Sequence, residues 1–266
     1  MEFLRRCVEK LSRGKRFKRY IYVSAARIPI FVSPDAQLKY LKSGASSFDQ
    51  DLISIAEAFI GDESVVWDIG ANVGVFTYAA ASLAKRGSVV AVEADIWLAD
   101  LLGRTKRLSD YRNIDIRILP VAISNNDGVA VLQIASRGRA SNALEEVEGR
   151  SQMGGVREKQ YVPCLMLDTL LESLPAPEFI KIDVEGAEVM VLQGAGRMLS
   201  EIRPVIYMEV GPTTRDSVLS AMKKLDYMAF SPSGDRLHEI NIGNVFFVPN
   251  VKESDFQDKR SCLDQD

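Results

Sequence analysis

The chain has 266 residues, 47% of them hydrophobic and 26% charged, an ordinary globular composition with apolar material enough for one large α/β domain. A formal net charge of -3 gives it no overall pull toward nucleic acid phosphates, so a nucleic acid partner is not expected. Cys7, Cys164 and Cys262 share no CxxC spacing and suggest neither a disulfide framework nor a zinc site.

Residues 1–48 read as a basic N-terminal extension of helix and strand. Its early part holds Arg5, Arg6, Glu9 and Lys10 where a secretory signal needs an apolar core, so a cytoplasmic protein is the expectation. Arg13, Lys15, Arg16, Lys18 and Arg19 follow among Leu11, Phe17, Tyr20 and Ile21. This reads as a solvated basic helix with one apolar edge on the domain, the alternative being contact with an anionic membrane surface or an acidic partner. Residues 49–250 read as the α/β domain and 251–266 as a polar tail.

Within the domain, apolar runs of strand length alternate with amphipathic segments of helix length, the pattern of a mostly parallel sheet covered by helices on both faces. Strands are expected at 65–69, 88–93 and 114–123, with helices at 73–85 and 97–111 between them. A hairpin turn at Asn125–Gly128, written with Asn126 and Asp127 inside it, places residues 128–135 antiparallel beside the third strand. Residues 137–159, polar and glycine-containing, read as a long loop that serves either as a linker or as a lid. A short strand running into a helix is expected at 165–174, strands at 179–184 and 205–210, and helices at 187–200 and 217–225. Two strands then flank a turn at 231–235.

The strongest chemical signal is DIGANVG at 68–74, placed where a buried strand ends and a helix begins. Gly70 and Gly74 let the backbone turn tightly and approach a ligand. A dinucleotide fingerprint needs glycine where Asp68 stands, and a carboxylate there suits a cationic methyl donor better than a pyrophosphate. Glu93 ends the second strand, where an acidic side chain accepts hydrogen bonds from ribose hydroxyls. FIKIDVEGAE at 179–188 puts Asp183 and Glu185 at the end of another strand. They could orient or deprotonate an acceptor hydroxyl, or hold a divalent cation that does so. Alternatively, Lys181 and these acids form a structural charge network with Glu188 capping the helix. Glu209 ends the next strand and is a third catalytic candidate. His238, the one histidine, lies among polar residues and reads as a surface group.

Taken together, DIGANVGVFT (68–77), VVAVEAD (89–95), LDTLL (167–171), FIKIDVEGAEVMVLQGA (179–195) and RPVIYMEV (203–210) resemble the FkbM-type methyltransferases. The resemblance implies a Rossmann-like class I methyltransferase with a central, mostly parallel sheet of seven strands, the last antiparallel. It also implies an S-adenosylmethionine-dependent O-methyltransferase acting on a sugar, glycan or natural-product hydroxyl. By position, Asp68, Gly70, Ala71, Asn72, Gly74, Glu93, Ala94 and Ala122 look like cofactor contacts, and Asp183 with Glu185 like the acceptor-side pair. Family members often carry proline after the acidic residue of the second strand, where this chain has Ala94 and Asp95. The competing readings are a catalytically silent scaffold of the same fold and a nicotinamide-dependent oxidoreductase.

Overall fold

The structure, a computed structural model, describes residues 8–42, 44–147, 154–240 and 243–261. Strands β1 (Phe17–Val23) and β2 (Ala26–Val32) form an antiparallel hairpin closed by Ser24 and Ala25, both with positive φ, as a two-residue hairpin turn requires. Residues 8–11 of the basic stretch are helical, and from Phe17 onward a hairpin stands where a helix was expected. The apolar residues there alternate with period two, burying Ile21, Val23, Ile30 and Val32 on one face.

Helix α1 (Gln50–Phe59) leads into β3 (Val65–Ile69), α2 (Val75–Leu83), β4 (Ser88–Val92), α3 (Ile96–Lys106) and β5 (Asp115–Leu119). The chain continues through β6 (Ala122–Ile123), β7 (Gly128–Ala135), β8 (Ala143–Leu144), β9 (Val156–Leu165), α4 (Leu167–Leu171), β10 (Phe179–Ile182) and α5 (Glu188–Gln193). It ends with β11 (Val205–Val210), α6 (Arg215–Lys224), β12 (Tyr227–Phe230), β13 (Arg236–Leu237), β14 (Gly243–Pro249) and α7 (Glu253–Ser261). The main sheet runs in the order β13-β12-β14-β11-β10-β3-β4-β5. Strands β5, β4, β3, β10 and β11 are parallel and β14 is antiparallel to β11. Among the described residues the sheet has eight strands where seven were expected, because the tail at 227–249 contributes three, the short β13 pairing at the edge. The chain leaves β3 outward to β4 and β5, then returns to β10 on the other side. Strand order thus reverses between β3 and β10, and ligands bind at the carboxyl ends beside such a point.

One apolar layer packs α1, α2, α3, α7 and the hairpin on one face, where Phe59 meets Phe179, Phe246 and Phe256 at ring centroid distances of 5.6, 5.1 and 5.5 Å. The other face carries α4, α5 and α6 around Ile180, Ile182, Val191 and Met208.

The middle of the chain departs most from expectation. The single strand expected at 114–123 breaks at Pro120 into β5 and β6, and β6 leaves the main sheet for a second, four-stranded one ordered β6-β9-β7-β8. The turn at Asn125 and Gly128 does not close a hairpin. Instead β9 inserts between β6 and β7, pairing parallel with the first and antiparallel with the second. The loop expected over 137–159 contains β8 and the first part of β9, while residues 148–153 lie outside the described residues.

Candidate functional site

After β3 the chain turns through Gly70 (φ 76°), Asn72 (φ 54°) and Gly74 (φ 87°) before entering α2. A Cβ on Gly70 would stand 1.8 Å from the Asp183 carbonyl oxygen, so only glycine lets this turn pass the end of β10. Asparagine tolerates the left-handed region better than most side chains. Its conformation at 72 directs the backbone N–H to Glu93 Oε2 at 2.7 Å, and leaves Asn72 Oδ1 buried without a hydrogen-bond partner.

Glu93, 8% exposed, also accepts the Asp95 N–H at 2.8 Å through Oε1. Burial pushes its carboxyl up to about 7, with the Asp95 charge adding to the rise and the two N–H bonds opposing it. Asp68 has a different place from the expected one. It is fully buried and does not line the cleft, accepting the Thr77 hydroxyl at 2.5 Å and Lys181 Nζ at 3.1 Å. Lys181 donates also to Gly70 O at 3.0 Å and lies 3.6 Å from Asp183. Burial opposes its charge, yet Asp68 and Asp183 push the ammonium up to about 12. This pair ties β3, β10 and the glycine turn together.

The second edge begins at Asp183 and turns through Glu185 (φ 52°) and Gly186 (φ 99°). Glu188 holds that turn, accepting the Gly186 N–H at 2.6 Å and the Thr214 hydroxyl at 2.8 Å. Glu209 is exposed and outside the cleft lining, close to Asp183 and Glu185. Partial withdrawal of its carboxyl from water, and the negative charges of Asp183 and Glu185, raise it to about 7.

Between these edges opens a cleft. Gly70, Asn72, Glu93, Ala94, Ala122, Asp183 and Glu185 line it, so the structure brings most of the expected residues to one space. Ala71 and Gly74 shape the turn without lining the cleft. Its apolar wall comes from Val92, Leu98, Val121, Ile123, Leu132 and Leu144. His238 is exposed and outside the lining, its carbonyl accepting Lys223 Nζ at 3.0 Å. Among the described residues no group of three His, Cys, Asp or Glu is arranged to hold a metal ion, and no helix is long and apolar enough to cross a membrane.

Sequence reasoning missed Arg139 and Asn142, which line the cleft from within the supposed loop. Arg139, 9% exposed, donates through Nη1 to both oxygens of Asp95 (2.8 and 2.5 Å) and through Nε to Asp35 at 3.1 Å. Asn142 Nδ2 donates to Asp95 at 2.8 Å, while Asp95 caps α3 by accepting the Trp97 N–H at 2.9 Å. The one available signal was Asp95 itself, a capping residue type just before a helix.

A family model described as the methyltransferase FkbM domain matches residues 68–229, from β3 through most of β12. The chain belongs to the FkbM methyltransferase family. The cleft lining of this FkbM chain, Ile69 to Ala187, falls within the match. Hexuronic acid methyltransferase AglP of Haloferax volcanii is 26% identical over 160 residues, covering 59% of this chain and 61% of that protein, so less than two thirds of the relative is spanned. Two crystal structures are similar: methyltransferase FkbM from Methylobacillus flagellatus KT and precorrin-6y C5,15-methyltransferase from Geobacter metallireducens GS-15. The first is 19% identical with a TM-score of 0.45, covering 71% of this chain and 44% of that one. The second is 13% identical with a TM-score of 0.46, covering 75% and 87%.

Proposed function

We propose that this protein transfers a methyl group from S-adenosylmethionine to a hydroxyl oxygen of a sugar or glycan. The observation that carries the reading is the convergence of Glu93 and Asn72, whose buried Oδ1 has no hydrogen-bond partner, on one cleft at the switch point of the sheet. These groups fit the cofactor. Glu93 keeps acceptor capacity for ribose hydroxyls beyond its two N–H bonds, Asn72 Oδ1 suits an amino group, and the apolar wall around Ala94, Ala122 and Leu144 suits a flat base. Charge agrees as well: Glu93, Asp183 and Glu185 line the cleft, whereas the one lining cation among the described residues, Arg139, is held by Asp95 and Asp35. When bound, the cofactor supplies a methyl group on a positively charged sulfur, an already activated electrophile.

The acceptor side is the edge formed by Asp183, Glu185 and Glu209. Holding the hydroxyl in line and excluding water supply most of the acceleration in such a displacement. Glu209, with its carboxyl near 7, is matched to receive the hydroxyl proton at neutral pH, and Asp183 orients the acceptor. Three carboxylates at this edge favour a neutral or amino-bearing sugar over one that carries its own carboxylate. The test is incubation with methyl-labelled cofactor and a panel of neutral, amino and uronic acid glycans. Label on a neutral or amino sugar oxygen supports the reading; no labelled product, or label confined to uronic acids, contradicts it.

A further inference from the structure

Two carboxylates buried on opposite sides of one guanidinium link the start of the chain to the cleft. Asp95 is fully buried and Asp35 6% exposed, and Arg139 bridges them. A buried carboxylate requires a partner, so the bridge fixes all three groups relative to one another. On the cleft side, Asp95 reaches Glu93 through its own N–H, 2.8 Å from Oε1. On the outer side, Asp35 is anchored by Arg157 Nη1 at 2.8 Å. The backbones run together as well, the Arg139 N–H donating to Asp35 O at 2.8 Å and the Ala140 N–H to Ala36 O at 3.3 Å. Asp35 precedes the family match, which begins at Asp68.

We propose that Arg139 is a positioning residue of the cofactor cleft and that Asp35, from the segment before the methyltransferase match, sets its position. The N-terminal segment is then part of the binding site, holding the wall at 139–144 against the adenosine end through the relay Asp35, Arg139, Asp95 and Glu93. This rests on the methyl-donor reading of the cleft. The relay touches neither Asp183 nor Glu209, so its loss weakens donor binding and leaves the chemical step largely alone. A lysine at 139 cannot bridge both aspartates, because its single ammonium lacks the planar fork.

The experiment uses the full chain with Asp35→Ala, Asp35→Glu and Arg139→Lys. Calorimetric titration gives the Kd for S-adenosylmethionine, thermal denaturation without ligand gives the Tm, and the kcat and KM for donor follow once an acceptor is in hand. Asp35→Ala is expected to raise Kd and KM about tenfold with kcat little changed, as loss of the charge-assisted contact to Arg139 implies, and Asp35→Glu to recover most of the affinity. Arg139→Lys is expected to shift the same way and carries the test if Asp35→Ala does not fold. Variants that lose Tm but bind the donor as the wild type does overturn the inference. A wild type that binds no donor overturns the donor reading itself, and the wild-type titration reports that outcome separately.

Discussion

Replacing Glu93 by glutamine separates what its carboxylate does for the fold from what it does for the ligand. Burial raises this carboxyl from 4.5 to about 7, a cost to the folded state of about 3 kcal/mol once the group is ionised. Because the folded value is the higher one, the protonated side chain favours the native state, and that advantage is lost as pH rises from 4.5 through 7. Glutamine does not ionise, so wild-type stability relative to Glu93→Gln falls by about 2 kcal/mol between pH 5.5 and 8.5, or about 5 °C in the difference of Tm values. Glutamine's one carbonyl can serve only one of the Asn72 and Asp95 N–H groups, a roughly constant penalty that pH leaves untouched. Ligand binding moves the other way. In the proposed donor site, losing charge-assisted bonds to ribose hydroxyls is expected to weaken S-adenosylmethionine binding by about 10- to 100-fold at pH 8.5. Calorimetric titration and thermal denaturation of both proteins at the two pH values measure both effects. Unchanged affinity, or a Tm difference that does not vary with pH, refutes the reasoning.

Lys181→Met leaves the buried Asp68 carboxyl without its cation and with only the Thr77 hydroxyl beside it, and is expected to cost about 3–5 kcal/mol in urea denaturation; a loss under 1 kcal/mol contradicts the pairing. Gly70→Ala forces a Cβ to within 1.8 Å of Asp183 O, so any soluble protein recovered is expected to be strongly destabilised and to lose donor binding. An unimpaired variant would show that the turn has room it lacks here. Carbon-13 titration of Glu209 is expected to give a midpoint near 7 that falls in Asp183→Asn, since a like charge beside it disappears. A midpoint below 5 in the wild type contradicts the crowded edge.

The parallel core of the fold was legible because its strands are short, apolar and buried on both faces, as Val65–Ile69 and Ser88–Val92 show. Glu93 and Asp183 were legible for a related reason: a carboxylate that ends such a strand arrives at the edge where ligands bind. Position along one strand says nothing of the neighbour, however. Asp68 reads as a free charge until Lys181, 113 residues later, is brought beside it by the pairing of β3 with β10. Strand β9 was hidden because only its second half is packed, where Val162 and Cys164 are buried, while its first half is largely exposed and polar. Arg139 was hidden because its partners Asp95 and Asp35 lie 44 and 104 residues away, and no local pattern marks a contact of that range.

We propose that a cationic methyl donor lies between the ends of β3 and β4, its ribose on Glu93 and its amino group on Asn72. A crystal structure with S-adenosylhomocysteine tests it most directly. Ribose hydroxyls are expected within hydrogen-bond distance of the Glu93 carboxylate, and the ligand's amino group on Asn72 Oδ1. A ligand bound elsewhere, or a nucleotide diphosphate occupying the glycine turn in its place, would contradict it.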